Sequence, residues 1–259
     1  MPRIWLIIAL ASLATHGRAA EDADAFDRAR SRTGLWLGAG LARAQLHLNT
    51  TSAKITTQVA ALPTLTVGAD WWPRPNTGLF AQLAVGTGAE LDIPSHSTSI
   101  QYNAHQFELG ARYRWFLGPR SDALAPYLGL GLRGTAQTAQ VQRPSLLTDA
   151  TVIGPSLHTG VEWPVLGERL WLRAQAWLGL PFFIRESPDD SGDPESFFAF
   201  GARLGLVAGL TPAWAVQLSA DLHEQRLRFV GEGTRAATVF DAETRERWFT
   251  GLLALRYAL

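Results

Sequence analysis

Cysteine is absent from all 259 residues, so neither a disulfide nor a thiolate metal site can form. Methionine occurs once, and the six histidines are scattered without the spacing that metal coordination uses. No glycine-rich phosphate loop or dinucleotide fingerprint stands at a strand-to-helix junction. Neither sign of charge is in excess: 23 basic and 23 acidic side chains cancel, which removes the electrostatic footprint of a nucleic-acid binder. Beyond residue 30 no apolar run approaches the about 20 residues that a membrane-crossing helix needs. If this chain crosses a bilayer, it must do so as a closed set of strands. No cofactor and no metal are expected.

What is present begins with an export pattern. Arg3 supplies a positive start, Ile4 to Ala14 is apolar apart from Ser12, and Gly17-Arg18-Ala19 places small residues where a signal peptidase inspects the chain. Residues 1–19 read as a cleaved signal peptide and 20–32 as a short, polar periplasmic tail. With no cysteine to acylate, a lipoprotein anchor is excluded. Residues 33–259 form one domain, and no room is left for a second.

Within that domain, turn signals come in two kinds. Tight connections sit at Pro73-Arg74-Pro75-Asn76, Gly118 to Asp122, Pro164 to Glu168 and Thr211-Pro212-Ala213. Longer polar ones sit at Asn49 to Ala53, Asp92 to Ile100, Gln140 to Ala150, Arg185 to Ser196 and Gly231 to Arg245. Short and long alternate throughout. Between them lie ten alternating segments, roughly 33–48, 54–72, 78–90, 101–117, 123–138, 151–163, 169–183, 197–210, 214–230 and 246–259. Their period of two marks strands with two distinct faces. Leu65, Val67, Ala69 and Trp71 form one uncharged row. Phe107, Leu109, Ala111, Tyr113, Trp115 and Leu117 form another. In the first segment the apolar phase slips near Ala42 to Ala44, which predicts a bulge there.

Tryptophan placement is an independent sign. Trp36, Trp71, Trp72, Trp115, Trp163, Trp171 and Trp214 all fall next to the tight-turn end of a segment. Indole prefers a membrane interface, ring in the apolar layer and N–H toward water. These residues, with Tyr257, read as an interface girdle. Phe182, Phe183, Phe197 and Trp248 read as a second girdle at the other end. The alternation alone would also suit a soluble sandwich or lipocalin-like barrel. The one-sided tryptophans, the loop asymmetry and the leader favour the membrane.

The last segment alternates to its final residue: Gly251, Leu253, Leu255, Tyr257 and Leu259 share a face. This resembles the C-terminal signal of Gram-negative outer-membrane β-barrels, with Leu259 where that signal usually has Phe. The resemblance implies an all-β, closed, antiparallel up-and-down transmembrane barrel in the bacterial outer membrane. Ten strands fit the pattern, and eight or twelve are compatible with it. As partners it implies outer-membrane lipids, the insertion machinery acting on the last strand, and other envelope proteins if the barrel belongs to a secretion or motility assembly. No nucleic acid is expected.

If the apolar rows face lipid, the alternate rows face a lumen. Glu108, Arg112, Arg114, Arg133, Glu162, Arg173, Arg203, Asp221 and Arg256 then meet inside. A barrel of about this size is narrow enough for side chains to fill, and buried charges must pair. The expectation is an interior ion-pair network and a structural or porin-like protein that is not an enzyme. The rival reading is a hydrolase. Asp221-Leu222-His223 resembles the Asp-x-His pair of omptin proteases, and Glu90-Leu91-Asp92 superficially resembles their acidic pair. However, Asp221 follows Trp214 by only seven residues, which puts it near mid-barrel. Ser156-Leu157-His158 holds the residue types of a lipid hydrolase, with a phase that points them into the lumen.

Overall fold

The computed structural model describes residues 33–51, 54–91, 100–118, 123–139, 147–165, 169–235 and 239–259. The expected leader (1–19) and polar tail (20–32) lie outside the described residues. The strands are β1 (Gly34–Asn49), β2 (Lys54–Trp71), β3 (Thr77–Leu91), β4 (Ile100–Arg114), β5 (Ala125–Ala139), β6 (Asp149–Pro164) and β7 (Leu170–Gly179). There follow β8 (Phe183–Ser187), β9 (Asp193–Gly209), β10 (Trp214–Val230), β11 (Glu232–Gly233), β12 (Val239–Phe240) and β13 (Glu243–Ala258). Every wall pairing is antiparallel, and β1 pairs with β13 from Gly34–Ala258 to Asn49–Glu243. The ring closes between β5 and β6. Both β7 and β8 pair with β6 and occupy one wall position in succession, so the wall has ten positions. The small β11–β12 hairpin stands apart at the long-loop end.

The seventh predicted segment is divided by Pro181, which has no amide hydrogen to give a ladder. Around it Leu180 and Phe182 still donate to the carbonyls of Pro155 and Ile153 (3.1 and 3.0 Å). The β7–β9 ladder stops at Gly179–Ala199.

The predicted bulge is at the expected level, but in the partner strand. β1 runs against β13 without interruption, whereas on its other side Ala42 pairs with Leu62 and Ala44 with Val59. Arg43 alone therefore faces two β2 residues, Ala60 and Ala61. A second irregularity lies between Gly86 and Ala89, where Gly88 takes φ +74° and donates to Asn103 Oδ1 (3.0 Å). A side chain there would be strained.

What slips in β1 is the chemistry, not the geometry. From Leu35 to Leu41 the apolar side chains point out, with Leu35, Leu37 and Leu41 exposed, while Ala42, Ala44 and Leu48 are buried inside. Strands β2 and β10 reverse in the same way at about the same height. Toward the tight-turn end the outer wall is leucine, valine and aromatic. Toward the long-loop end the interior holds two apolar clusters. One contains Val59, Leu62, Leu91, Tyr102 and Trp248, the other Leu48, Val152, Leu227 and Phe229. The first half is built for lipid outside and charge inside, the second for water outside and a hydrophobic core inside.

The closed lumen as candidate functional site

Strand parity carries the predicted interior residues inward, and the register stacks them in layers. Nearest the tight turns, Asp70 on β2 accepts from Arg112 Nη2 (2.5 Å) and Arg256 Nη1 (2.8 Å). Glu162 on β6 holds Arg114 Nη1 (3.2 Å) and Arg173 Nη2 (3.1 Å). Arg114 also donates to the Pro75 carbonyl (2.7 Å), tying this layer to the tight turn between β2 and β3. Its guanidinium lies 3.7 Å from the Trp72 ring centroid, and that of Arg112 lies 4.6 Å away. Both are cation–π contacts.

The middle layer centres on Glu108. It accepts from Arg133 Nη1 (2.7 Å) and stands 3.3 Å from His158 Nδ1. His158 Nε2 lies 2.7 Å from Ser156 Oγ. Gln175 Nε2 lies 3.1 Å from Nδ1 of the same ring. Arg203 binds Asp221 and reaches across the barrel to Gln82 Oε1 (2.7 Å). Arg133 stacks on Trp177 at 3.9 Å and approaches His223 Nδ1 (3.3 Å). Since Arg can only donate, Nδ1 of His223 presents its lone pair there. The His223 ring lies between Trp177 and Trp248, with centroids 5.0 and 5.5 Å away.

Two small cavities run through these layers. The lower is about 60 Å³ and is lined among others by Asp70, Arg112, Glu162 and Arg173. The upper is about 40 Å³ and is lined among others by Arg133, Asp221, His223 and Trp248. Each has room for a few waters and nothing larger. Gln82 and Arg203 line both, so the Gln82–Arg203–Asp221 bridge forms the bar between them. Beyond Trp248 the axis enters the apolar core. There Tyr102 donates to Gln137 (3.0 Å), and Gln137 binds Glu246.

The expected girdle divides. Trp71, Trp115, Trp163, Trp214 and Tyr257 face outward, and all are exposed. Trp214 and Tyr257 pack together with centroids 4.7 Å apart. Trp36, Trp72 and Trp171 instead point into the lumen. Period two requires this, because Leu35 and Leu37, Trp71, and Leu170 and Leu172 hold the adjoining outward positions. Trp36 lies over Gly68, where a Cβ would come within 2.3 Å of the indole. Trp72 backs the two arginines, and Trp171 packs on Val207 and Ala215. At the other end Phe182 and Phe183 are exposed, but Trp248 is buried inside the barrel and Phe197 packs on the inner apolar cluster.

Of the hydrolase candidates, Asp221 and His223 share the lumen face but hold different partners: one is tied to Arg203, the other to Arg133 and two indoles. Ser156, His158 and Glu108 do form a connected chain, which the spacing of the first two did not announce because Glu108 arrives from β4. Ser156 and His158 are both buried, and Ser156 does not line either cavity. Strand parity also turns Gln82 into the lumen, but only the closure of the ring brings its amide to Arg203.

No protein-family model matches the chain, and no curated protein matches it. Among solved structures it is similar to the outer membrane protein OprG from Pseudomonas aeruginosa (12% identity, 88% of this chain and 98% of that one, TM-score 0.40). It is also similar to the outer membrane protein AlkL (12% identity, 88% and 92%, TM-score 0.43). A third is the translocator domain of the autotransporter NalP from Neisseria meningitidis (13% identity, 99% and 95%, TM-score 0.35). The present chain's own walls make the physical case. A closed sheet with leucine and valine outside and paired arginines inside matches a bilayer and not water, and the chain is a closed antiparallel β-barrel with ten wall positions.

Proposed function

We propose that the protein is a small porin-like barrel whose resting lumen is shut by side chains. The reading rests on one observation. Two water-sized cavities share Gln82 and Arg203, so a hydrogen-bonded bar divides them. A bar of this kind opens by rotation of a side chain. Trp248 closes the path a second time above it. The proposal includes no catalytic step. Asp221 is engaged by Arg203, and turnover of a peptide or lipid substrate that disappears in Asp221→Asn would overturn that part.

The test is conductance in a planar bilayer. Wild type is expected to be nearly silent. The Arg203→Ala/Trp248→Ala variant, which removes one bar at each level, is expected to show steady ion-selective steps, at least ten times more frequent. Heat-modifiable migration on a gel verifies that both are folded. A folded but silent variant would leave a purely structural barrel, and a wild type with large permanent steps would contradict a shut lumen.

A further inference from the structure

The outer wall of β10, β13 and β1 carries a feature that a pore does not use. On the outward row of β13, Tyr257, Leu255, Leu253, Gly251 and Phe249 are followed directly by Arg247 and Arg245. Opposite them on β10, Leu218 and Leu222 give way to Glu224 and Arg226. On β1, Leu41 gives way to Arg43. From Tyr257 to Phe249 the strand runs about 27 Å, or about 20 Å along the barrel axis once tilted. The arginines thus begin where the apolar belt ends on the long-loop side, at the height of the outer-leaflet headgroups.

These side chains are assembled rather than scattered. Glu224 is 4% exposed and receives Arg226 Nη2 (2.6 Å), Arg245 Nε (2.9 Å) and Arg247 Nη2 (2.8 Å). The three arginine side chains remain 47%, 37% and 44% exposed. Each has five N–H groups, and only part of them turns to the carboxylate. Arg43 adds a fourth cation and donates to the neutral Gln58 (3.0 Å). Three positive charges thus gather on one negative charge, and the fourth stands on the neighbouring strand β1. One carboxylate sets three planar forks in place, and their free edges face outward. Phosphate matches that fork geometry, and guanidinium is the group that reads it bidentately. Directly beneath lie the exposed faces of Leu41, Leu218, Leu253 and Phe249, a surface for acyl chains. At the same height β4 shows His105 and Asn103, β5 shows Ala136 and Thr138, and β8 shows a single arginine, Arg185. The cluster of arginines therefore belongs to one side of the barrel.

We infer that Arg43, Arg226, Arg245 and Arg247 form a binding site for the phosphorylated headgroup of an outer-leaflet glycolipid, with its acyl chains lying on the apolar wall below.

The test uses the full chain refolded into phosphatidylcholine vesicles doped with diphosphoryl lipid A, with retained lipid read by native mass spectrometry. Wild type is expected to keep at least one lipid A. Retention should fall at least ten-fold for Arg245→Ala/Arg247→Ala, and less for Arg247→Lys, which keeps the charge and loses the fork. Arg43→Gln, outside the Glu224 cluster, provides a variant whose folding does not depend on that cluster, and it is expected to lose several-fold. Heat-modifiable migration again verifies folding. Equal retention of dephosphorylated lipid A, undiminished retention in folded variants, or complete competition by millimolar inorganic phosphate would each overturn the inference.

Discussion

Asp70 sits beside two guanidinium groups, those of Arg112 and Arg256, and is itself buried. Removing one partner of a buried pair strands the other charge, and such losses cost about 3–5 kcal/mol. Asp70→Ala is therefore expected to destabilise the barrel by about 3 kcal/mol, read as a lower urea midpoint in vesicles with an unchanged slope. Asp221→Ala should cost less, because Asp221 and Arg203 are both partly hydrated (19% and 21% exposed) and Gln82 remains to receive Arg203. Equal losses would contradict the layered description. These interior residues were legible from strand parity. Their partners were not, since Asp70 and Arg256 stand 186 positions apart and meet only because the last strand pairs with the first.

At the scale of the element, β2 shows how a single residue divides the barrel. Below the Ala60–Ala61 bulge Leu62, Thr66 and Asp70 point inward; above it Val59 and Thr57 do. A shift of one residue moves every side chain to the opposite face. Deletion of Ala61 is expected to expose Val59, to drive Gln58 inward, and to cost about 3 kcal/mol in the external half. Trypsin should then cleave after Lys54 while the membrane half keeps its heat-modifiable migration. A deletion variant as resistant as wild type would mean that the bulge sets no register. The phase slip near Ala42 to Ala44 marked this level in the sequence. The assignment to β1 failed because polar residues replaced apolar ones on its outer face, a change of solvent that period analysis cannot tell from a change of register.

The whole molecule is a barrel with two solvents. Leu253, 59% exposed at mid-belt, faces lipid, whereas Gln45 faces outward level with Arg247, above the belt. An arginine on the lipid face near the midplane costs about 2–4 kcal/mol. Leu253→Arg is expected to lose that much, and Gln45→Arg less than about 0.5 kcal/mol, by reversible urea unfolding in vesicles. Comparable losses at both positions would place the membrane boundary elsewhere.

The outward apolar rows, the interior charges and the tight-turn end were all determined by the sequence alone, because period two and turn chemistry are local properties of the chain; ten strands was one of three compatible counts, and ring closure decided the number. Which tryptophans turn inward also follows from parity, once the outward row is known. Only the tertiary structure decided the rest: the bar made by Gln82, Arg203 and Asp221, the stack of His223 between two indoles, and the fork of arginines around Glu224. Each of these needs the register between strands far apart in sequence, and that register exists only once the ring has closed.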